Sequence, residues 1–228
     1  MKKTLCNVSS CFLCSHCTEE WRALVAVKKE TLRFKKGEPI FTEGQKVKGV
    51  YCMYSGAAKV HKHWKDEKEL ILRFTKGGDM LGHRGLATGD VYPVSATALE
   101  DSLACFIPAA LLEATLKTDH RFACNLLQFY SEELQKAEMR MRNLALMEVN
   151  GRIAEALLEL YTVYGTGKGK FITVAVTRQD IAAYAGTTYE TVFKFMRTLI
   201  AAKTISVSGK SIRINNMNRL SGYMKNVP

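Results

Sequence analysis

The chain has 228 residues, 47% of them hydrophobic, which is enough for one large domain or two small ones with packed cores. No uninterrupted apolar run reaches the roughly 18 residues a membrane helix needs. Lys2 and Lys3 lead into no apolar signal segment, so a cytoplasmic protein without a membrane partner is expected. The formal net charge is +11, and from Asn150 to Pro228 there are 11 Lys/Arg against 4 Asp/Glu. A basic C-terminal region suits a polyanion such as nucleic acid, although a solvated basic surface has the same balance.

In chain order, residues 1–20 are a cysteine-rich segment with too few apolar residues for a core of its own. Cys6, Cys11, Cys14 and Cys17 are spaced C-x4-C-x2-C-x2-C. In a reducing compartment such clustering points to metal ligation before disulfides. Residues 21–120 follow as a predicted β domain. Short β-type runs such as 50–54, 58–61, 69–74 and 94–98 are punctuated by glycines, the pattern of an all-β roll or barrel. Lys62 to Lys68 reads as a hairpin tip, with His61 and His63 as surface residues. Cys52 and Cys124 lie in apolar contexts and read as core. Pro108 suits a first helical turn.

A long helix is predicted over about Arg121 to Leu146, within a segment 121–149. Leu127, Tyr130, Leu134, Ala137, Met141 and Leu144 recur at steps of three and four, a heptad-like seam. Its length and its place between two domains favour a dimer helix, and an amphipathic helix packed on its own domain is the alternative. Residues 150–228 form the last predicted domain. A helix from about Gly151 to Tyr164 should end at Gly165 in a left-handed conformation. The loop Gly165–Lys170 is no phosphate loop, because Gly169 follows Lys168 where Ser or Thr is needed.

Thr177 is a good N-cap for a short helix over Arg178–Ala185. Gly186 is a turn glycine, and Thr187 or Thr188 caps a second helix to about Ala202. Thr204 to Ile214, centred on Gly209-Lys210, alternates like a hairpin or wing. Two helices and a wing make a winged helix-turn-helix, whose second helix enters the major groove. No G-x-S-x-G, H-E-x-x-H or paired-carboxylate constellation is present, so no enzyme is expected.

The run TRQDIAAYAGTTYETVFKFMRTL, residues 177–199, closely resembles the helix-turn-helix of the CRP/FNR family of bacterial transcription regulators. GEPIFTEG at 37–44 and YSG at 54–56 resemble that family's β-roll turns, and GGDMLG at 77–82 resembles the strand pair before its ligand cassette, in order, so the likeness spans roughly residues 30–215. It implies an α+β protein: a cyclic-nucleotide-binding-like β-roll, a long dimerisation helix and a C-terminal winged helix-turn-helix. It also implies a homodimer on a palindromic double-stranded DNA operator, with RNA polymerase as a further partner. By position, Glu190 and Lys194 fall where relatives read base edges, and their chemistry suits cytosine N4 and guanine or phosphate. Arg178 falls at a backbone-contact position. Thr188 either binds phosphate or caps the helix. Tyr189 and Phe193 depart from the common members, so a different operator is expected. A first-turn acid favoured by the helix dipole remains the simple alternative for Glu190.

Cyclic-nucleotide members need an acid, an Arg and a small hydroxyl residue in the cassette. Here His83 stands at the acid position, and Pro93-Val94 or Val94-Ser95 supply no Arg. Cyclic AMP is therefore not expected. The resemblance to oxygen-responsive members, the FNR-like redox branch, implies a [4Fe-4S] cluster on Cys11, Cys14, Cys17 and Cys105, with Cys6 as alternate. Cys105-Phe106-Ile107-Pro108 matches that branch's junction, while C-x2-C-x2-C is shorter than its spacing. A tetrahedral zinc site on Cys6, Cys11, Cys14 and Cys17, with His16 in reserve, is a second reading, and a disulfide switch a third. A small-molecule effector in the roll or a haem on His83 stands behind these.

Overall fold

The structure is a computed structural model that describes residues 11–64, 68–86 and 90–225. The described chain divides into two compact units. One runs to Val60 and includes Thr75–Gln135; the other joins His61–Phe74 to Lys136 and beyond.

The first unit opens with two helices, α1 (Phe12–His16) and α2 (Glu19–Lys28). Eight strands follow in the chain, with the His61–Phe74 stretch of β4 and β5 counted in the second unit: β1 (Glu30–Phe34), β2 (Pro39–Phe41), β3 (Gly49–Ser55), β4 (Ala57–Trp64), β5 (Lys68–Lys76), β6 (Met80–Leu81), β7 (Ser95–Ala98) and β8 (Ser102–Pro108). They make two four-stranded sheets, ordered β1-β8-β3-β6 and β2-β7-β4-β5. The expected β-roll is therefore the architecture formed. β3 is buried from Gly49 to Met53 on both faces, because helices and the roll interior cover it from opposite sides. Tyr51, Phe41 and Tyr92 stack in the interior at ring separations of 5.6 and 4.3 Å. The Tyr92 hydroxyl donates to the Gly49 carbonyl at 2.7 Å. Gly49 has no room for a side chain, since a Cβ would lie 2.1 Å from the Ile107 carbonyl oxygen.

Pro108 is not in a helical turn. Its ψ of 142° ends β8, and it caps α3 (Ala109–Thr118) from outside. Next comes α4 (His120–Leu146), 27 residues and so about 40 Å long. Its first turns pack Phe122 and Leu126 into the core of this unit. Leu127 and Leu134 remain exposed.

The second unit contains the end of α4, α5 (Val149–Tyr164), α6 (Arg178–Ala185), α7 (Tyr189–Ala201), β9 (Ile205–Ser208), β10 (Ser211–Ile214) and α8 (Met217–Gly222). α5 starts two residues before the expected Gly151. Gly165 ends it at φ 66° but ψ −163°, so the positive φ is as predicted and the left-handed helical ψ is not. Arg140 ties α4 to its neighbours: it pairs with Glu155 at 2.8 Å, lies over the Tyr184 ring at 3.7 Å and donates to the Tyr184 carbonyl. Phe74 of β5 belongs to the same unit and stacks on Tyr184 at 5.2 Å. Of the expected hairpin tip over 62–68, residues 62–64 belong to β4 and Lys68 to β5, and 65–67 fall outside the described residues. Two expectations need correcting. His61 is buried beside Glu69 rather than on the surface. Cys124 is exposed, because α4 turns its Phe122 and Leu126 side to the core instead.

Candidate nucleic-acid interface and metal centre

The reader is built from local signals. Thr177 opens α6 with a full capping box: its Oγ1 accepts from the Asp180 N–H at 3.0 Å, and Asp180 Oδ2 accepts from the Thr177 N–H at 2.9 Å. Gly186 ends α6 at φ 60°, ψ 48°, a left-handed residue suited to glycine. Between the two threonines offered by the sequence, Thr188 is the cap of α7, accepting from the Thr191 N–H at 3.3 Å. The Thr191 hydroxyl lies 3.0 Å from the same oxygen.

α7 buries Val192, Phe195, Met196 and Leu199. Tyr189, Glu190, Phe193 and Lys194 therefore lie on the exposed side, by helical periodicity. Arg197, which the sequence reading passed over, is exposed one turn beyond Phe193 and Lys194. Its seven-residue step from Glu190 was the signal for it. Tyr189 and Phe193 stack with planes 16° apart, and the Arg178 guanidinium lies 5.5 Å over Phe193. Arg178 and Tyr189, with Lys210 of the β9–β10 wing, line one cavity of about 210 Å³. The face thus carries cations, one carboxylate and two rings, a set able to meet phosphates, base edges and thymine methyls.

The second constellation is made of thiols. Cys11 precedes α1, Cys14 lies within it and Cys17 follows it. Steps of three in a helical turn put them on one side. All three are buried in one cluster with Cys52, Cys105, Leu13, Val50 and Phe122. Cys52 and Cys105 stand opposite each other in the β3–β8 ladder. Cys52 is thus core, as expected, and also a neighbour of the candidate ligands. Cys6 and the cassette residues 87–89 lie outside the described residues.

Electrostatics bind these thiols together. The Cys52 thiol is raised well above its ordinary range, by a hydrogen bond with Cys11 first, then by burial and the Cys11 charge, with Cys105 adding to it. Burial pushes Cys17 up to about 12, with Asp119 and Cys11 reinforcing it and Arg22 opposing. For Asp119, burial alone raises the pKa, but the backbone N–H groups of Thr18 and Phe122 outweigh it and hold the carboxyl below its usual range. The Thr18 N–H donates to Asp119 at 2.8 Å, and Arg22 Nε donates to the Cys14 carbonyl at 3.0 Å. The first contact ties the cysteine-bearing segment to the junction of α3 and α4, and the second ties α1 to α2.

In the cassette, His83 is buried, edge-on to Phe129 at 5.0 Å and to Tyr130 at 5.6 Å. The Tyr130 hydroxyl donates to the His83 carbonyl at 2.7 Å. Ser95 accepts from the Glu43 N–H at 2.9 Å. Arg84 lies 3.7 Å from Glu133 of α4. On α4, Leu127, Leu134, Ala137 and Met141 are exposed, while Tyr130 and Leu144 are half-buried in their own units.

Residues 31–119 match the model of the cyclic nucleotide-binding domain, and residues 151–223 match that of the Crp-like helix-turn-helix domain. The nitrogen fixation regulation protein FixK of Azorhizobium caulinodans is 30% identical over 177 residues, 76% of this chain and 70% of that protein. The fumarate and nitrate reduction regulatory protein of Vibrio cholerae is 29% identical over 197 residues, 84% and 78% of the two chains. The CRP-like cAMP-activated global transcriptional regulator of Mycobacterium tuberculosis is 26% identical over 203 residues, 87% and 91%. Among solved structures, FixK2 of Bradyrhizobium japonicum matches with a TM-score of 0.77 at 26% identity, over 88% of this chain and 99% of that one. The fold, the helix-turn-helix and these relatives agree: the chain belongs to the CRP/FNR family and is a DNA-binding transcription regulator, not an enzyme.

Proposed function

We propose that this regulator senses oxygen or redox state through a cysteine-ligated iron–sulfur cluster and works in the cytoplasm as a homodimer on a palindromic operator. The observation that carries the reading is the burial of Cys11, Cys14, Cys17 and Cys105 in one cluster of the roll. An all-thiol donor set suits such a cluster, and the Cys52 thiol beside Cys11 adds a reserve ligand. When bound, the cluster supplies a redox-sensitive link between the N-terminal segment and the roll. Ligation needs thiolates, so the raised thiols must release protons as they are occupied. Among the relatives, the fumarate and nitrate reduction regulator lends its branch to this reading. The cassette of this chain has no Arg at the position cyclic-nucleotide binding requires, since its Arg84 stands elsewhere, 3.7 Å from Glu133, which argues against the cyclic-AMP branch.

Signal and DNA are linked in this reading by α4. Its first turns share a core with the thiols, and its exposed Leu127, Leu134 and Met141 supply the dimer seam, with Tyr130, Ala137 and Leu144 beside them. Glu190 and Lys194 read base edges; Arg178 and Arg197 hold backbone; Tyr189 and Phe193 offer rings to thymine methyls; Thr188 caps the helix that presents them. RNA polymerase is the partner through which such a protein acts. The deciding experiment is anaerobic purification followed by iron, sulfide and zinc analysis and by DNA titration before and after air. Iron and sulfide, with tighter DNA binding before air, support the proposal. One zinc per chain retained in air, with DNA affinity unmoved, favours a structural zinc on the same buried thiols.

A further inference from the structure

The hairpin of β4 and β5 carries a donor cluster that DNA reading and the thiols leave unused. His61 and His63 are two positions apart on β4, so strand alternation puts both imidazoles on one face and Lys62 on the other. Glu69 of β5 meets them there. His61 Nδ1 lies 2.9 Å from Glu69 Oε1. The two imidazole rings meet edge to face, 5.1 Å between centroids. One ligand atom from each of the three residues lies within 4.8 Å of the other two. His61 is buried, Glu69 is half-buried and His63 is exposed.

A histidine–glutamate ion pair accounts for two of these residues. It does not account for the convergence of the third. Two imidazoles and one carboxylate are the donor set of borderline divalent ions such as zinc, cobalt and nickel; calcium and magnesium prefer oxygen alone. Closing the ligand atoms to coordinating distance asks for a rotation of His63, which is exposed and able to turn.

We propose that His61, His63 and Glu69 hold a divalent transition cation of the zinc class, at a site separate from the buried cysteines. Three protein ligands leave a coordination position open to water or to an effector's donor atom. The cation joins β4 to β5. Five residues beyond Glu69, β5 carries Phe74, whose ring stacks on Tyr184 of α6. The site therefore braces a strand that packs on the first helix of the reader.

Cobalt(II) is the probe, because thiolate-bound cobalt has an intense near-ultraviolet charge-transfer band that nitrogen and oxygen ligands lack. The full chain, prepared anaerobically, is titrated alongside His63→Ala and Glu69→Gln. Wild type should take up one cobalt per chain without the sulfur band, apart from any that the cysteines bind. Each variant should lose that equivalent or bind it about 10–100-fold more weakly. His63 is exposed, so its removal leaves the fold intact, which circular dichroism checks. Unchanged uptake in His63→Ala, or a sulfur band on every bound cobalt, overturns the proposal. Neither result depends on whether the cysteines hold a cluster.

Discussion

Leu134→Glu combined with Met141→Glu should break the proposed dimer. Leu134 is 61% exposed and Met141 65% exposed, so each has roughly two thirds of its side chain still to bury. Full burial of such a side chain is worth about 1.5–3 kcal/mol, which leaves about 1–2 kcal/mol for each on association. A two-fold interface counts every position twice, so losing both residues costs about 4–8 kcal/mol before any charge repulsion. At about 1.4 kcal/mol per tenfold, the dissociation constant should rise at least several hundredfold, on the order of 700-fold at the lower end. Glutamate is a good helix former, so α4 itself should survive. Sedimentation across a concentration series reads the effect directly, and a gel shift should lose binding in parallel. An intact dimer for the folded double variant, with wild-type concentration dependence, would refute the assignment of this face.

Glu190→Ala should relax base preference by about 1–3 kcal/mol at the contacted position, read by selection from randomised sites; an unchanged preference removes Glu190 from the base readers. Arg197→Ala should weaken binding evenly across sequences and lower the salt slope by about 1, read by titration at several salt concentrations. Cys14→Ser and Cys105→Ser should each abolish the difference in DNA affinity between anaerobic and air-exposed protein. Iron retained in Cys105→Ser but lost in Cys52→Ser would move the fourth ligand to Cys52. The Cys17 thiol rises in the fold from 9.0 to about 12, so its contribution to metal-free stability is present below pH 9 and lost as pH climbs toward 12. Denaturant melts between pH 8.5 and 11 should show that loss, and Cys17→Ala should flatten it.

The reader was legible because its signals are local. Thr177 and Asp180 cap each other within one turn, Gly186 takes the left-handed conformation its turn needs, and the apolar spacing of α7 selects its buried side. The clustering of Cys11, Cys14 and Cys17 pointed to a common ligand set, but their shared side of a helix comes from α1. Where a choice depended on distant chain, sequence spacing was silent or misleading. Cys124 has the apolar neighbours of a core residue, yet α4 presents Phe122 and Leu126 to the core and leaves Cys124 exposed. Cys52 joins the thiols because β3 pairs with β8 in a register that sets it opposite Cys105. His61 is buried because β5 folds back to bring Glu69 to its imidazole. Periodicity and capping chemistry act within a few residues, so the sequence by itself determined the helices and turn of the reader and the buried side of α7. Strand register and helix docking join residues tens of positions apart, so only the tertiary structure decided which thiols and imidazoles meet.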